Sequence, residues 1–193
     1  LDMMILQHLN RYTTQFITSI VLVFSFCAIS YAQPNTDNHD VKIIVPKSST
    51  IQVSGETTES IVLSPQLPSD AVKPLNFEST VNNSLWLNYS AVSQEGKNIY
   101  VSIADGDLPA GIGLTVQAST PGDDGQGNFG ESAGSITLSS VNQALVRGIT
   151  TCFTGEGTNK GRQLAYELIS NNQYQLINAT PNATITVCYT ITD

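Results

Sequence analysis

Cys152 and Cys188 are the first residues in this sequence with chemistry to offer. Two thiols in an exported chain are most simply a disulfide. A bridge closing a loop of this size stabilises by roughly 3–4 kcal/mol in the chain-entropy picture. Two buried free thiols are the alternative. A second set is acidic. Asp123, Asp124 and Glu131 sit in the glycine-rich stretch 120–134 (TPGDDGQGNFGESAG), and carboxylates on a flexible loop suit Ca²⁺. Their spacing matches neither an EF-hand nor a nonapeptide repeat, so a mobile, solvated loop is the competing reading, as it is for Asp105 and Asp107. The third set is aromatic: Trp86, Tyr89 and Tyr100 offer rings on which a sugar stacks. For Trp86 the alternative is a side chain covering the second face of its strand beneath a neighbouring loop.

Much other chemistry is excluded. Beyond residue 32 the only histidine is His39, in a polar leader, so Ser–His and Cys–His nucleophilic sites that use His as base are ruled out. Paired carboxylates of the glycosidase kind have only loop acids to draw on. The run 125–130 (GQGNFG) matches G-x-G-x-x-G by letters, with no strand–turn–helix around it. The N-x-Ser/Thr patterns at Asn82, Asn88, Asn178 and Asn182 are expected by chance in so Asn/Thr-rich a chain. No enzyme activity, no cofactor and no resident metal are expected.

The elements that position these residues begin behind a targeting segment. Arg11 precedes an uncharged run, 16–29 (FITSIVLVFSFCAI), and 30–32 (SYA) supplies small residues at a peptidase site. A basic start, an apolar core of this length and a small-x-small exit describe a secretory signal peptide over 1–32. The run is short for a membrane span, which needs about 20 apolar residues. The phenylalanine before Cys27 opposes a lipid anchor there. The expected mature chain starts at Gln33, is secreted or held at the cell surface, and has no membrane span. From residue 33 on, seven Lys and Arg stand against fifteen Asp and Glu, a balance of −8. That acidity speaks against nucleic acid or an anionic membrane as partner.

Residues 33–40 (QPNTDNHD) have no hydrophobic period and read as a flexible leader to one domain, 41–193. Short β-rich runs follow, each closed by a turn signal: 41–45, 50–54, 60–64, 83–90, 97–104, 111–119, 134–139, 143–153, 163–170, 173–177 and 182–193. Pro65, Pro68 and Pro74 make the intervening stretch a surface connection. Residues 97–119 read as a hairpin-like pair around the turn 105–109 (DGDLP). The clearest strand is the last, NATITVCYTITD. There Ile185, Val187, Tyr189 and Ile191 face one way while the Thr residues and Cys188 face the other. About eight to ten short strands with no convincing helix predict an all-β, Ig-like Greek-key β-sandwich.

Alternation places Cys152 with Thr150 and Thr154, and Leu145 with Ile149 and Phe153. Both thiols then lie on outer polar faces. A disulfide needs Cα atoms about 5.5–6 Å apart, the spacing of facing residues on adjacent antiparallel strands. The strand of Cys152 is therefore expected directly beside the last strand, with 163–170 leaving that sheet.

The closing run ITVCYTIT makes the chain resemble secreted bacterial surface β-sandwiches of the spore-coat-protein-U-like and fimbrial-subunit-like groups, and Leu75-Asn76-Phe77 is similar to an L-N-F element in related uncharacterised bacterial domains. The likeness covers the plan of 75–193. Its cysteines lie elsewhere than in pilin-type subunits, and no functional residues carry over. It implies a non-enzymatic structural or adhesive subunit of a filament, fimbria-like fibre or coat. Strand exchange with its own copies or with other surface proteins would assemble it. Val41, Ile43, Ile44 and Val45 form the candidate donor strand; an ordinary first strand paired within its own subunit is the alternative. A carbohydrate-binding module with glycan partners is the second functional expectation.

Overall fold

The computed structural model describes residues 8, 10–15, 40–55, 60–70, 72–77, 80–122, 124–171, 173–178 and 183–192. The chain divides into two compact units, Leu1–Ile43 and Ile44–Asp193. In the first, residues 10–15 are helical, with the Thr13 hydroxyl donating to the Asn10 carbonyl at 3.0 Å. The apolar run 16–29, the exit site 30–32 and the leader to residue 39 lie outside the described residues. No helix among the described residues is long and apolar enough to cross a membrane.

The second unit is an all-β sandwich of two antiparallel sheets. Its strands in chain order are β1 (Ser48–Gly55), β2 (Asn82–Val92), β3 (Lys97–Asp105), β4 (Ile112–Pro121), β5 (Gln126–Gly127), β6 (Glu131–Ser132), β7 (Ser135–Thr137), β8 (Gln143–Ile149), β9 (Cys152–Phe153), β10 (Arg162–Ser170) and β11 (Thr186–Thr192). The larger sheet runs β5-β9-β2-β10-β4-β7, with β1 on the other edge of β2; the smaller runs β11-β3-β8-β6. β2 is long enough to pair β1 over 85–92 on one edge and, on the other, β10 and β9 in turn.

Alternation explains the core. Leu87, Tyr89 and Ala91 of β2, Leu114, Val116 and Ala118 of β4, and Leu164, Tyr166 and Leu168 of β10 all face inward. Ile99 and Val101 of β3, with Leu145, Val146 and Ile149 of β8, meet them from the smaller sheet. Each fully buried Leu or Ile of this kind contributes about 1.5–3 kcal/mol relative to an exposed one.

Several expectations fail for identifiable reasons. Residues 41–45 and 60–64 form no ladder among the described residues; Ile61 and Leu63 pack against the core instead. β3 and β4 are not a hairpin, because the turn after Asp105 carries the chain from the smaller sheet to the larger. Residues 173–177 hold a single 3₁₀ turn, Tyr174–Leu176. The stretch 143–153 is two strands in different sheets. In β8 the register slips twice against β3, once at Leu145-Val146 and once across Gly148, which has φ +73°. Each slip resets which face a residue occupies. The two slips cancel by Ile149, which is buried like Leu145; the parity reverses at 150–151, where the chain changes sheet, so that Cys152 and Thr154 are buried and Phe153 is exposed.

Candidate functional site

Arg162 is the least expected core residue. It begins β10 on the same face as Leu164, Tyr166 and Leu168, and is 2 % exposed. Its Nε donates to the Tyr89 hydroxyl at 2.9 Å and Nη1 to the Ser119 carbonyl at 2.6 Å. Nη2 donates to the carbonyls of Phe129 at 3.2 Å and Gly130 at 2.6 Å. The Tyr89 hydroxyl donates in turn to the Phe129 carbonyl at 2.8 Å. Among the described residues no carboxylate is ion-paired with Arg162. A buried cation left without such partners would cost several kcal/mol; here carbonyl dipoles in the planar fork of the guanidinium meet that need. Gly130 is part of the fit. Its φ is +68°, and a Cβ there would stand 2.3 Å from the Arg147 carbonyl oxygen.

The consequence reaches the stretch 120–134. It is not a structureless loop: β5 pairs β9, β6 pairs β8, and the carbonyls at 119, 129 and 130 close on Arg162. Asp124 forms an ion pair with Lys160 at 3.0 Å, and Glu131 faces Arg147 across the β6–β8 ladder. Asp123 lies outside the described residues. No group of three metal-ligating side chains exists among the described residues; Asp124 has Lys160 as its ion-pair partner.

The aromatic set does not converge. Tyr89 is a core residue bound to Arg162, and burial, opposed by the Arg162 charge, pushes its phenol upward in pKa. Trp86 lies on the outer face of the larger sheet, half-buried between Ser54 of β1 and Gln163 of β10. Tyr100 belongs to the smaller sheet, opposite Thr190 of β11. One ring in the core and two on different sheets make no common platform. Of the N-x-Ser/Thr sites, Asn88 is buried, its amide donating to the Gly157 and Lys160 carbonyls at 3.1 and 2.9 Å. Asn82 accepts from the Ser84 amide and hydroxyl, Asn178 is exposed, and Asn182 is outside the described residues.

The cysteines also part company. Cys152 pairs through β9 with β2 in the larger sheet, and Cys188 lies on β11 in the smaller. Both thiols are free, Cys152 buried and Cys188 exposed. The expected bridge and the adjacency of their strands are therefore overturned. β10 stays in the sheet of Cys152, and it is β11 that lies in the other. Burial raises the Cys152 thiol pKa, with Arg162 pulling weakly the other way.

The surfaces left open are sheet edges. β1 pairs only β2, and β11 only β3, among the described strands. The two come close to each other from opposite sheets without forming a ladder. Along this seam Ile51 and Val53 of β1 and Val187, Tyr189 and Ile191 of β11 are only partly buried. One bond crosses beneath it: the hydroxyls of Tyr166 on β10 and Tyr189 on β11 join in a hydrogen bond. Burial first raises both phenol pKa values, and for Tyr189 the Tyr166 hydroxyl adds to the rise. Just before β1, Val41, Ile43, Ile44 and Val45 are 71–82 % exposed, in no regular element and with no described ladder partner.

Searched against known proteins, the chain matches no family model, no curated protein and no solved structure.

Proposed function

We propose that this is a non-enzymatic structural or adhesive subunit, exported by way of the 1–32 segment to the cell surface or beyond, that assembles by strand addition. The carrying observation is the apolar run Val41, Ile43, Ile44 and Val45, exposed and without a ladder partner among the described residues. Soluble chains seldom leave four neighbouring β-branched residues in water without a use for them. Such a run in another copy gains main-chain hydrogen bonds and apolar burial together when it adds to a free sheet edge. β1 and β11 supply edges of that kind, and edges left unblunted are templates for pairing. The acidic balance of −8 and the resemblance of the closing strand to fimbrial-subunit-like and spore-coat-protein-U-like chains agree with this reading.

The test is assembly state. Size exclusion with light scattering, and negative-stain microscopy, should show oligomers or fibres of the unaltered chain. Ile43→Asp with Val45→Asp should dissolve them while leaving thermal stability within about 0.5 kcal/mol, as expected for exposed positions. A strictly monomeric unaltered chain at high concentration would sink the reading.

A further inference from the structure

The outer edge of β11 carries more information than an unpaired edge alone. Around Cys188 the sequence runs Thr184-Ile185-Thr186-Val187-Cys188-Tyr189-Thr190-Ile191-Thr192. Read outward from Cys188 in both directions, Thr meets Thr, Ile meets Ile, and only Val187 and Tyr189 differ. Such a palindrome is what an isologous two-fold contact requires, because residue i must face residue j while j faces i. We propose that β11 pairs antiparallel with β11 of a second copy, the two-fold axis passing at Cys188, and that the two Cys188 thiols join across it.

In this register Thr186 faces Thr190 of the other copy and Thr184 faces Thr192, so one face is a ladder of threonines with Cys188 at its centre. The opposite face brings Ile185 to Ile191 and Val187 to Tyr189, which extends the half-buried inner row of β11. Cross-strand Thr–Thr and aromatic–aliphatic pairs each add roughly 0.2–1 kcal/mol. Directly opposed residues in an antiparallel pair have Cα atoms about 4.5–5.5 Å apart, inside the range of about 4.4–6.8 Å that a disulfide spans. Cys188 is exposed on this face, its Sγ beside the Thr190 hydroxyl at 3.9 Å. Cys152 is buried and takes no part.

The covalent step is thiol–disulfide exchange with a small-molecule disulfide. Two Cys188 thiols give up two protons and two electrons, one S–S bond forms between the copies, and the oxidant's S–S bond is reduced to two thiols. The disulfide, though not the strand pairing, rests on the proposed export to an oxidising compartment. The apolar run before β1 has no such palindrome. With β11 taken by a second β11, the edge of β1 is left for that run, and the two contacts together make an open chain of copies.

The full chain incubated with glutathione disulfide should give a covalent dimer at twice the 20.7 kDa chain mass on a non-reducing gel. Tryptic digestion of that dimer should yield the peptide 163–193 linked to itself through Cys188. Cys188→Ser should abolish the covalent dimer yet keep a reversible one by light scattering. Cys188→Lys should lose both, since like charges directly opposed repel, with circular dichroism showing a retained β fold. A Cys188→Ser chain carrying Thr186→Cys and Thr190→Cys together should cross-link, while Thr190→Cys alone should not, its two copies lying about 14 Å apart in this register. The proposal is overturned if oxidation leaves monomer, if the dimer is linked through Cys27 or Cys152, if Cys188→Lys still dimerises, or if Thr190→Cys alone cross-links. Ile43→Asp leaves this dimer intact, so the failure of one contact is separable from the failure of the other.

Discussion

The stretch closed by Arg162 and the seam between β1 and β11 treat the same problem, an incomplete sheet boundary, in opposite ways. At the first, a buried guanidinium holds three carbonyls of 119–130 and the Tyr89 hydroxyl, and the chain crosses from β6 to β7 to tie the two sheets together. At the second, two strands approach without a ladder and expose apolar side chains. The contrast separates a boundary that is finished within the chain from one whose two strands each have a single ladder partner among the described strands.

The largest effect is expected at the finished boundary. Arg162→Ala strands the Ser119 and Gly130 carbonyls and leaves the Tyr89 hydroxyl and the Phe129 carbonyl only each other. It should cost about 3–5 kcal/mol by denaturant unfolding, since each buried acceptor left without a donor costs about 1–3 kcal/mol. A loss under about 1 kcal/mol would show that 119–130 does not depend on Arg162, and would break the contrast. Next comes the bond under the seam. Tyr189→Phe leaves the Tyr166 hydroxyl buried without its partner, a cost of about 1–3 kcal/mol. Proteolysis should then cut first near β11 and not within 119–130.

Alkali probes both regions at once. Tyr89, Tyr166 and Tyr189 have folded-state pKa values above the ordinary 10.0, chiefly because burial disfavours the phenolate. The folded chain therefore keeps protons that the unfolded chain gives up. Stability should be full below about pH 10 and fall as pH rises beyond it, with tyrosinate absorbance appearing together with unfolding and not before it. The smallest effect belongs to the rim: Lys160→Ala removes an exposed pair with Asp124 and should change stability by less than about 1 kcal/mol.

The sandwich was legible because alternation is a local property. β2, β3, β4, β10 and β11 all lie where period two places them. Which sheet a strand joins is not local, and every error of topology follows from that. The passage from β8 in the smaller sheet to β9 in the larger reverses the facing at 150–151, so Cys152 turns inward where simple alternation turns it out. Arg162 was readable in principle, since it continues the row of Leu164, Tyr166 and Leu168. A cation at the head of a strand suggests solvent, and its partners are main-chain carbonyls that no residue type announces. The edge of β11 was visible as pattern, while its lack of a second neighbour required the ladders.

The changes of sheet also govern time. Of the nine ladders among the described strands, only β1–β2 joins consecutive strands. The rest pair segments distant along the chain, as when Gln163 faces Trp86 or Thr190 faces Tyr100. Loop-closure entropy must be met before such contacts return anything, and chains of this kind fold in milliseconds to seconds, not microseconds. β11 docks on a β3 formed far earlier in sequence, so the nascent domain spends that interval with its central strands uncovered. A chain built this way reaches its fold only after nearly all of it is free to move.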